Sequence, residues 1–186
     1  MISQHNAVVA IYTTHEQAEA AVLKLQNTGF DMTHLSIIGR DYQTDDHVIG
    51  YYQTGERMKY WGKMGDFWGR LWQYLFGSAF FYIPGIGPLL VAGPLVGWIG
   101  GALEGAVVIG GVSAIGAGLT SLGIPKDSIV LYENALKSGK FIVIAHGNAA
   151  TTAQAHELIE QTGPETVEEH QHSHSSHPAV RIAESA

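Results

Sequence analysis

The chain has 186 residues, carries a formal charge of −7 with its histidines neutral, and contains no cysteine. The acidic balance argues against nucleic-acid binding, which needs a basic surface to neutralise phosphates. The missing thiols exclude disulfides, thiolate metal sites and thiol nucleophiles, and the length allows one domain or two.

The opening stretch MISQHNAVVAIY lacks the basic region and long apolar core of a secretory signal, so export by that route is not expected. Residues 7–12, AVVAIY, form a short apolar run with β-branched members, the pattern of a strand buried on both faces. Thr14 followed by Gln17 gives a helix start close to a capping box. The helix then carries Ala18, Ala21, Val22 and Leu25 on one stripe, and Gly29 supplies its stop. A second apolar run, Leu35 to Gly39, completes a β-α-β unit.

Residues 40–60 turn polar. Asp45, Asp46 and His47 could form a metal or acid–base cluster, but a solvated turn accounts for them more simply. Residues 56–75 interleave Arg57, Lys59, Lys63 and Arg70 with six aromatic residues, among them Trp61, Trp68 and Trp72. Rings with basic neighbours suit a membrane–water interface, the competing reading being an aromatic core helix.

From Leu71 to Pro125 there is no Lys, Arg or Asp, and Glu104 is the sole formal charge. As one helix the segment would run on the order of 80 Å, more than one bilayer crossing. Pro84, Pro88 and Pro94 break its first third, so the reading is one helix over 67–83, a turn, and a long helix from Leu95 to Leu122. Two ladders of small residues recur at every fourth position: Gly93, Gly97, Gly101, Gly105, and Ala102, Ala106, Gly110, Ala114, Gly118. Such seams let helix backbones approach closely, in a membrane or in a soluble bundle. Glu104, inside this helix, is a candidate intramembrane functional residue.

Lys126 to Gly139 reads as a helix with Ile129, Tyr132 and Leu136 on one side. KFIVIAHG follows as a strand, residues 149–162 as an amphipathic helix, and GPETVEEHQ as a short edge strand. The two polar halves together give a ferredoxin-like βαβ–βαβ pattern in an α+β domain, split by the apolar helical hairpin. AVVAIY and FIVIAH are its expected central neighbours. If both halves form one sheet, Arg70 and Lys126 must lie on one side of any membrane, the cytoplasmic side by their charge. The expected boundaries are 1–55 and 126–170 for the split domain, 56–70 for the aromatic and basic lead-in, 71–125 for the hairpin, and 171–186 for a histidine-containing disordered tail.

Two catalytic look-alikes fail. His156-Glu157-Leu158-Ile159-Glu160 ends in Glu where a zinc-protease helix has its second His, and the Gly85/Gly87 and Gly116/Gly118 pairs lack the full phosphate-loop spacing. His170, His172, His174 and His177 have a spacing that suits weak capture of a divalent transition metal, against a metal-free tail. No other cofactor is expected.

The stretches VVAIYTTHEQAEAAVLKLQNTGFDMTHLSIIGRDY, HVIGYYQTGERMKYWGKMGDFWG, IPGIGPLLVAGPLVGWIGGALEGA and GIPKDSIVLYENALKSGKFIVIAHG resemble the bacterial heat-induced general stress protein family, with its YflT-like domain. The resemblance spans roughly residues 6–162 and implies a small stress-associated protein with no catalytic residues to carry over. The expectation is a non-enzymatic stress-response protein at the inner membrane, its polar domain in the cytoplasm, with lipid and further copies of itself as partners and any small-molecule ligand unknown. The alternatives are a soluble homo-oligomer or shell that buries the apolar hairpins, and a small channel or transporter using Glu104.

Overall fold

The computed structural model describes residues 6–40, 75, 78–83, 86–104 and 113–171. Strand β1 (Asn6–Tyr12) is buried along its whole length. Helix α1 (His15–Asn27) is started by a capping box: the Gln17 amide donates to the Thr14 hydroxyl while the Gln17 side chain accepts from the Thr14 N–H. This satisfies two donors that a helix start otherwise leaves orphaned. Ala18, Ala21, Val22 and Leu25 point inward, and the chain leaves through Gly29 at φ +79. A 3-10 turn, Met32–His34, leads into β2 (Leu35–Arg40).

The apolar middle departs from the expected pair of long helices. Ser78–Ile83 is a strand, β3, and Gly87–Ala92 is a strand, β4; the two pair antiparallel as a hairpin. Aromatic and branched residues in SAFFYI and GPLLVA favour extended backbone. Pro88 lies beyond Leu89, the last β4 residue that pairs with β2, where a missing N–H costs little. Instead of one helix from Leu95 to Leu122 there are two short ones, α2 (Leu95–Glu104) and α3 (Ala114–Ser121). Among the described residues no helix is long and apolar enough to cross a membrane.

The remaining elements fall where the spacing predicts them. Helix α4 (Lys126–Lys137) follows Pro125, β5 (Phe141–Gly147) is wholly buried, α5 (Ala149–Glu160) is capped by Asn148, and β6 is Thr166–His170. All six strands described form one sheet in the order β3-β4-β2-β5-β1-β6, with every neighbouring pair antiparallel. The inserted hairpin thus extends the sheet beyond β2 rather than leaving it.

Alternation along the strands divides the core in two. Val8, Ala10, Tyr12, Leu35, Ile37, Val143 and Ala145 pack under α1 and α5, against Leu25, Ala155 and Ile159. Ala7, Val9, Ile11, Ile38, Ile142 and Ile144 face the other way, under Leu95 and Ile99 of α2, Ile115 and Leu119 of α3, and Ile129, Tyr132 and Leu136 of α4. The apolar segment therefore spends its side chains on the opposite face of the sheet. That is why the central strands are apolar on both faces rather than alternating.

Candidate functional site

Among the described residues β6 is an edge strand, paired only with β1. Its sequence TVEEH sends Thr166, Glu168 and His170 to the α4 face and Val167 and Glu169 to the α5 face, as their partners Ile11, Val9, Ala7, Ala10 and Val8 dictate. Acidic and imidazole groups consequently gather on both sides of this edge.

On the α4 face the centre is the Tyr132 hydroxyl. It donates to Glu168 Oε2 at 2.8 Å and lies 2.7 Å from His170 Nε2. His170 Nε2 is also 3.6 Å from the Glu168 carboxylate. Tyr132 is fully buried. Burial, reinforced by the hydrogen bond to Glu168, drives its phenol far above the ordinary tyrosine range. Burial likewise lowers the His170 imidazole, with the Glu168 charge pulling the other way. The hydroxyl thus stays protonated and acts as a fixed donor, not as a base.

On the α5 face His156 sits between two carboxylates, Nε2 at 3.4 Å from Glu160 and Nδ1 at 3.6 Å from Glu169. At the start of the strand Lys140 Nζ donates to Glu165 at 2.6 Å and Thr13 donates to the other Glu165 oxygen at 3.2 Å; the Lys140 bond chiefly holds the Glu165 carboxyl below its usual range. Behind the strand the Tyr12 and Thr162 hydroxyls are hydrogen-bonded at 2.7 Å, and the Thr162 hydroxyl also lies within hydrogen-bond reach of the Ile159 carbonyl. Burial pushes the Tyr12 phenol up to about 12, the Thr162 bond acting against it.

A further aromatic cluster lies at the His170 end of the sheet, His146 and His170 being opposite Ala7 on its two sides. His146 lies edge-on to Trp98 of α2 at 5.1 Å and to His34 at 5.3 Å between ring centroids. It joins the inserted segment to the ends of β2 and β5.

The sequence-predicted residues are distributed as follows. His170 is the last residue of β6 and is engaged by Tyr132; His172, His174 and His177 lie outside the described residues. Among the described residues no group of three or more His, Asp or Glu is placed to hold a metal. Gly93 is not part of a helical seam: it turns β4 into α2 at φ +97. There a β-carbon would fall 2.3 Å from the Leu35 carbonyl oxygen. Gly97 and Gly101 are exposed on α2 with open space where a β-carbon would go. Gly118 does serve close packing, within this chain, because a β-carbon would meet Ile99 at 3.0 Å. Glu104 ends α2. Trp61, Trp68, Arg70, Trp72, Gly105, Gly110 and the Asp45–His47 cluster lie outside the described residues.

Sequence reasoning placed Tyr132 on an apolar stripe and missed its hydroxyl as the centre of the cluster. The available signal was a tyrosine on the buried side of a helix, whose O–H needs a partner. The β6 edge has donors and acceptors suited to holding a strand in place and to responding to pH.

Residues 7–79 match the family model described as the heat induced stress protein YflT domain. The matched stretch runs from β1 through α1 and β2 into the start of β3. No curated protein and no solved structure matches the chain.

Proposed function

We propose, with the match of residues 7–79 to the heat-induced stress protein domain as premise, that the chain is a non-enzymatic stress-response protein. Its split ferredoxin-like domain serves as a regulatory and binding module. The match supports the YflT-like general stress protein family and a general stress-response role, and it is the observation that carries this reading. Support for the ferredoxin-like assignment comes from the order β2-β5-β1-β6, in which the first strands of the two β-α-β units are neighbours and all pairs are antiparallel. The helices joining each unit, α1 and α5, cover one face together.

The test is a heat step applied to the source cells. Abundance of the protein should rise within the response, and a deletion strain should survive the step less well than the same strain with the gene restored. Unchanged abundance together with unchanged survival would sink the reading.

Self-association and contact with a lipid surface are the finer parts of the proposal, placing the domain at the cytoplasmic face of the inner membrane or in a cytoplasmic assembly. The basic and aromatic stretch 56–75 supports the lipid part by its composition. Flotation of the purified chain with anionic vesicles tests it: co-flotation that fails in high salt is expected, and no co-flotation at low salt contradicts it. No cofactor is part of this reading.

A further inference from the structure

We propose that β6 is a displaceable strand, and that the β1 edge it covers accepts β6 from a second copy of this chain. The inference stands on the geometry of the β6 edge and not on the stress-response reading.

The two strands are held very differently. Each β1 residue is buried, between 0% and 5% exposed. No residue of β6 is buried, and only Val167 packs against the apolar core. Apart from its backbone pairing with β1 and the edge-on contact of the His170 and Tyr132 rings, β6 and the Glu165 before it are held by polar side-chain contacts: Glu165 to Lys140, Glu168 and His170 to Tyr132 of α4, and Glu169 to His156 of α5. Of these, the partly exposed ionic contacts of Glu165 to Lys140 and Glu169 to His156 each contribute little and weaken with salt, which leaves the Tyr132 bonds as the main side-chain hold. Of β2, β5, β1 and β6, the last is therefore the strand that the sheet can release most readily.

Release leaves a problem that only a strand can solve. The outward N–H and C=O groups of β1 would lose their partners along a wholly buried and largely apolar strand, which is an edge prone to pairing. An incoming strand must run antiparallel and bring a branched apolar residue opposite Ala10. It must also bring a carboxylate and an imidazole two residues apart to meet Tyr132, a carboxylate for His156, and another for Lys140. β6 of a second copy supplies every one of these contacts in the same register.

The connection permits the exchange. α5 ends at Glu160, and the backbone is fixed again where the Glu165 N–H donates to the Ile11 carbonyl at 2.8 Å. Between them lie Gly163 at φ +70, with nothing near the position of a β-carbon, and Pro164. Redirecting this short link changes which chain β6 enters without changing any contact inside the sheet, which makes swapping a low-cost route to a dimer.

The chain has no native cysteine, so single cysteines report pairing cleanly. One full-length variant carries Ala10→Cys and another carries Val167→Cys; these positions are opposite each other in β1 and β6. The two are mixed, warmed to just below the unfolding midpoint, cooled and oxidised. Val8→Cys mixed with Glu169→Cys repeats the test at a separate opposed pair. Val167→Cys mixed with Ile37→Cys on β2 is the control. The proposal expects disulfide-linked heterodimer from either opposed pair at several-fold the control yield, rising with warming. Yields at the control level for both opposed pairs, warmed or not, overturn it.

Discussion

The two faces of the sheet are covered by material of opposite character. One face lies under α1 and α5, helices with side-chain caps, polar outer surfaces and narrow apolar stripes. The other lies under α2, α3 and α4, of which α2 and α3 are built from glycine, alanine and branched apolar residues with no basic residue. By sequence alone, α1, α4 and α5 have the pattern of helices that cover a sheet. α2 and α3 resemble membrane-spanning material, because their apolar residues are not confined to a stripe. The difference teaches that a strongly apolar segment need not leave the domain. When a sheet has two apolar faces, both must be covered, and here an inserted apolar segment covers one of them.

The joint between the faces is the most sensitive place to break this arrangement. Gly93 carries the chain from β4 into α2 at φ +97, and a β-carbon there would strike the Leu35 carbonyl and the Ser36 backbone. Beside it the Leu95 amide donates to the buried Ser36 hydroxyl at 3.1 Å. Gly93→Ala should cost about 4 kcal/mol, combining a disfavoured φ with a backbone clash. Urea unfolding checks this; a midpoint within error of the parent would show that α2 is not anchored here.

The two cores should then respond alike. Leu25 on α1 and Leu119 on α3 are both fully buried, one under each face. Leu25→Ala and Leu119→Ala should each cost about 3 kcal/mol in the same urea titration. A cost for Leu119→Ala near zero, beside a full cost for Leu25→Ala, would mean that the face under α2, α3 and α4 is not a packed core in solution.

Smaller effects sharpen the comparison at the β6 edge. Tyr132→Phe should cost about 1 kcal/mol, because Glu168 loses its hydroxyl donor and His170 Nε2 loses its hydrogen-bond partner. The His170 imidazole is held below its ordinary value of 6.5, so the unfolded chain binds its proton more readily. Its contribution is present above that value and is lost as pH falls through the lower folded value. The depressed Glu165 carboxyl acts with the same sign at lower pH. Stability should therefore fall on acidification, first through the imidazole range, and the His170 part of that fall should diminish in a His170→Phe variant followed by thermal unfolding at several pH values.

The smallest change tests the glycine seam. Gly97 and Gly101 face open space on α2, so Gly97→Ala with Gly101→Ala should raise stability by up to about 1 kcal/mol each through better helix propensity. If the same double substitution also leaves particle size unchanged in light scattering, these two glycines are not a self-association surface; a smaller particle would restore them as one.

Much of this fold is legible in the sequence, and the part that is not has a physical reason. α1 is announced by Thr14, Gln17 and Gly29, which together fix where a helix starts and stops. β1 and β5 are apolar runs flanked by polar residues, and their adjacency follows from mutual burial. β3 and β4 give no such signal, because short, largely apolar runs show neither a clear period two nor a period 3.6 and cannot be told from a helical segment by periodicity. The recurrence of Gly93, Gly97 and Gly101 fits a helical seam by spacing, yet one member is a turn and two face solvent. At the candidate site His170 stands out as a histidine, but its partner Tyr132 is hidden within an apolar stripe. The pairing across 38 positions depends on topology, which no local pattern carries.

In this structure the apolar segment completes the domain. Amide hydrogen exchange of the full chain in detergent-free buffer tests it most directly. Leu89 to Ala92 in β4 should be protected to a degree comparable with Ile142 to Ala145 in β5, since both stretches pair with β2 and lie within the buried sheet. Complete early exchange of Leu89 to Ala92, with β5 still protected, would contradict the claim.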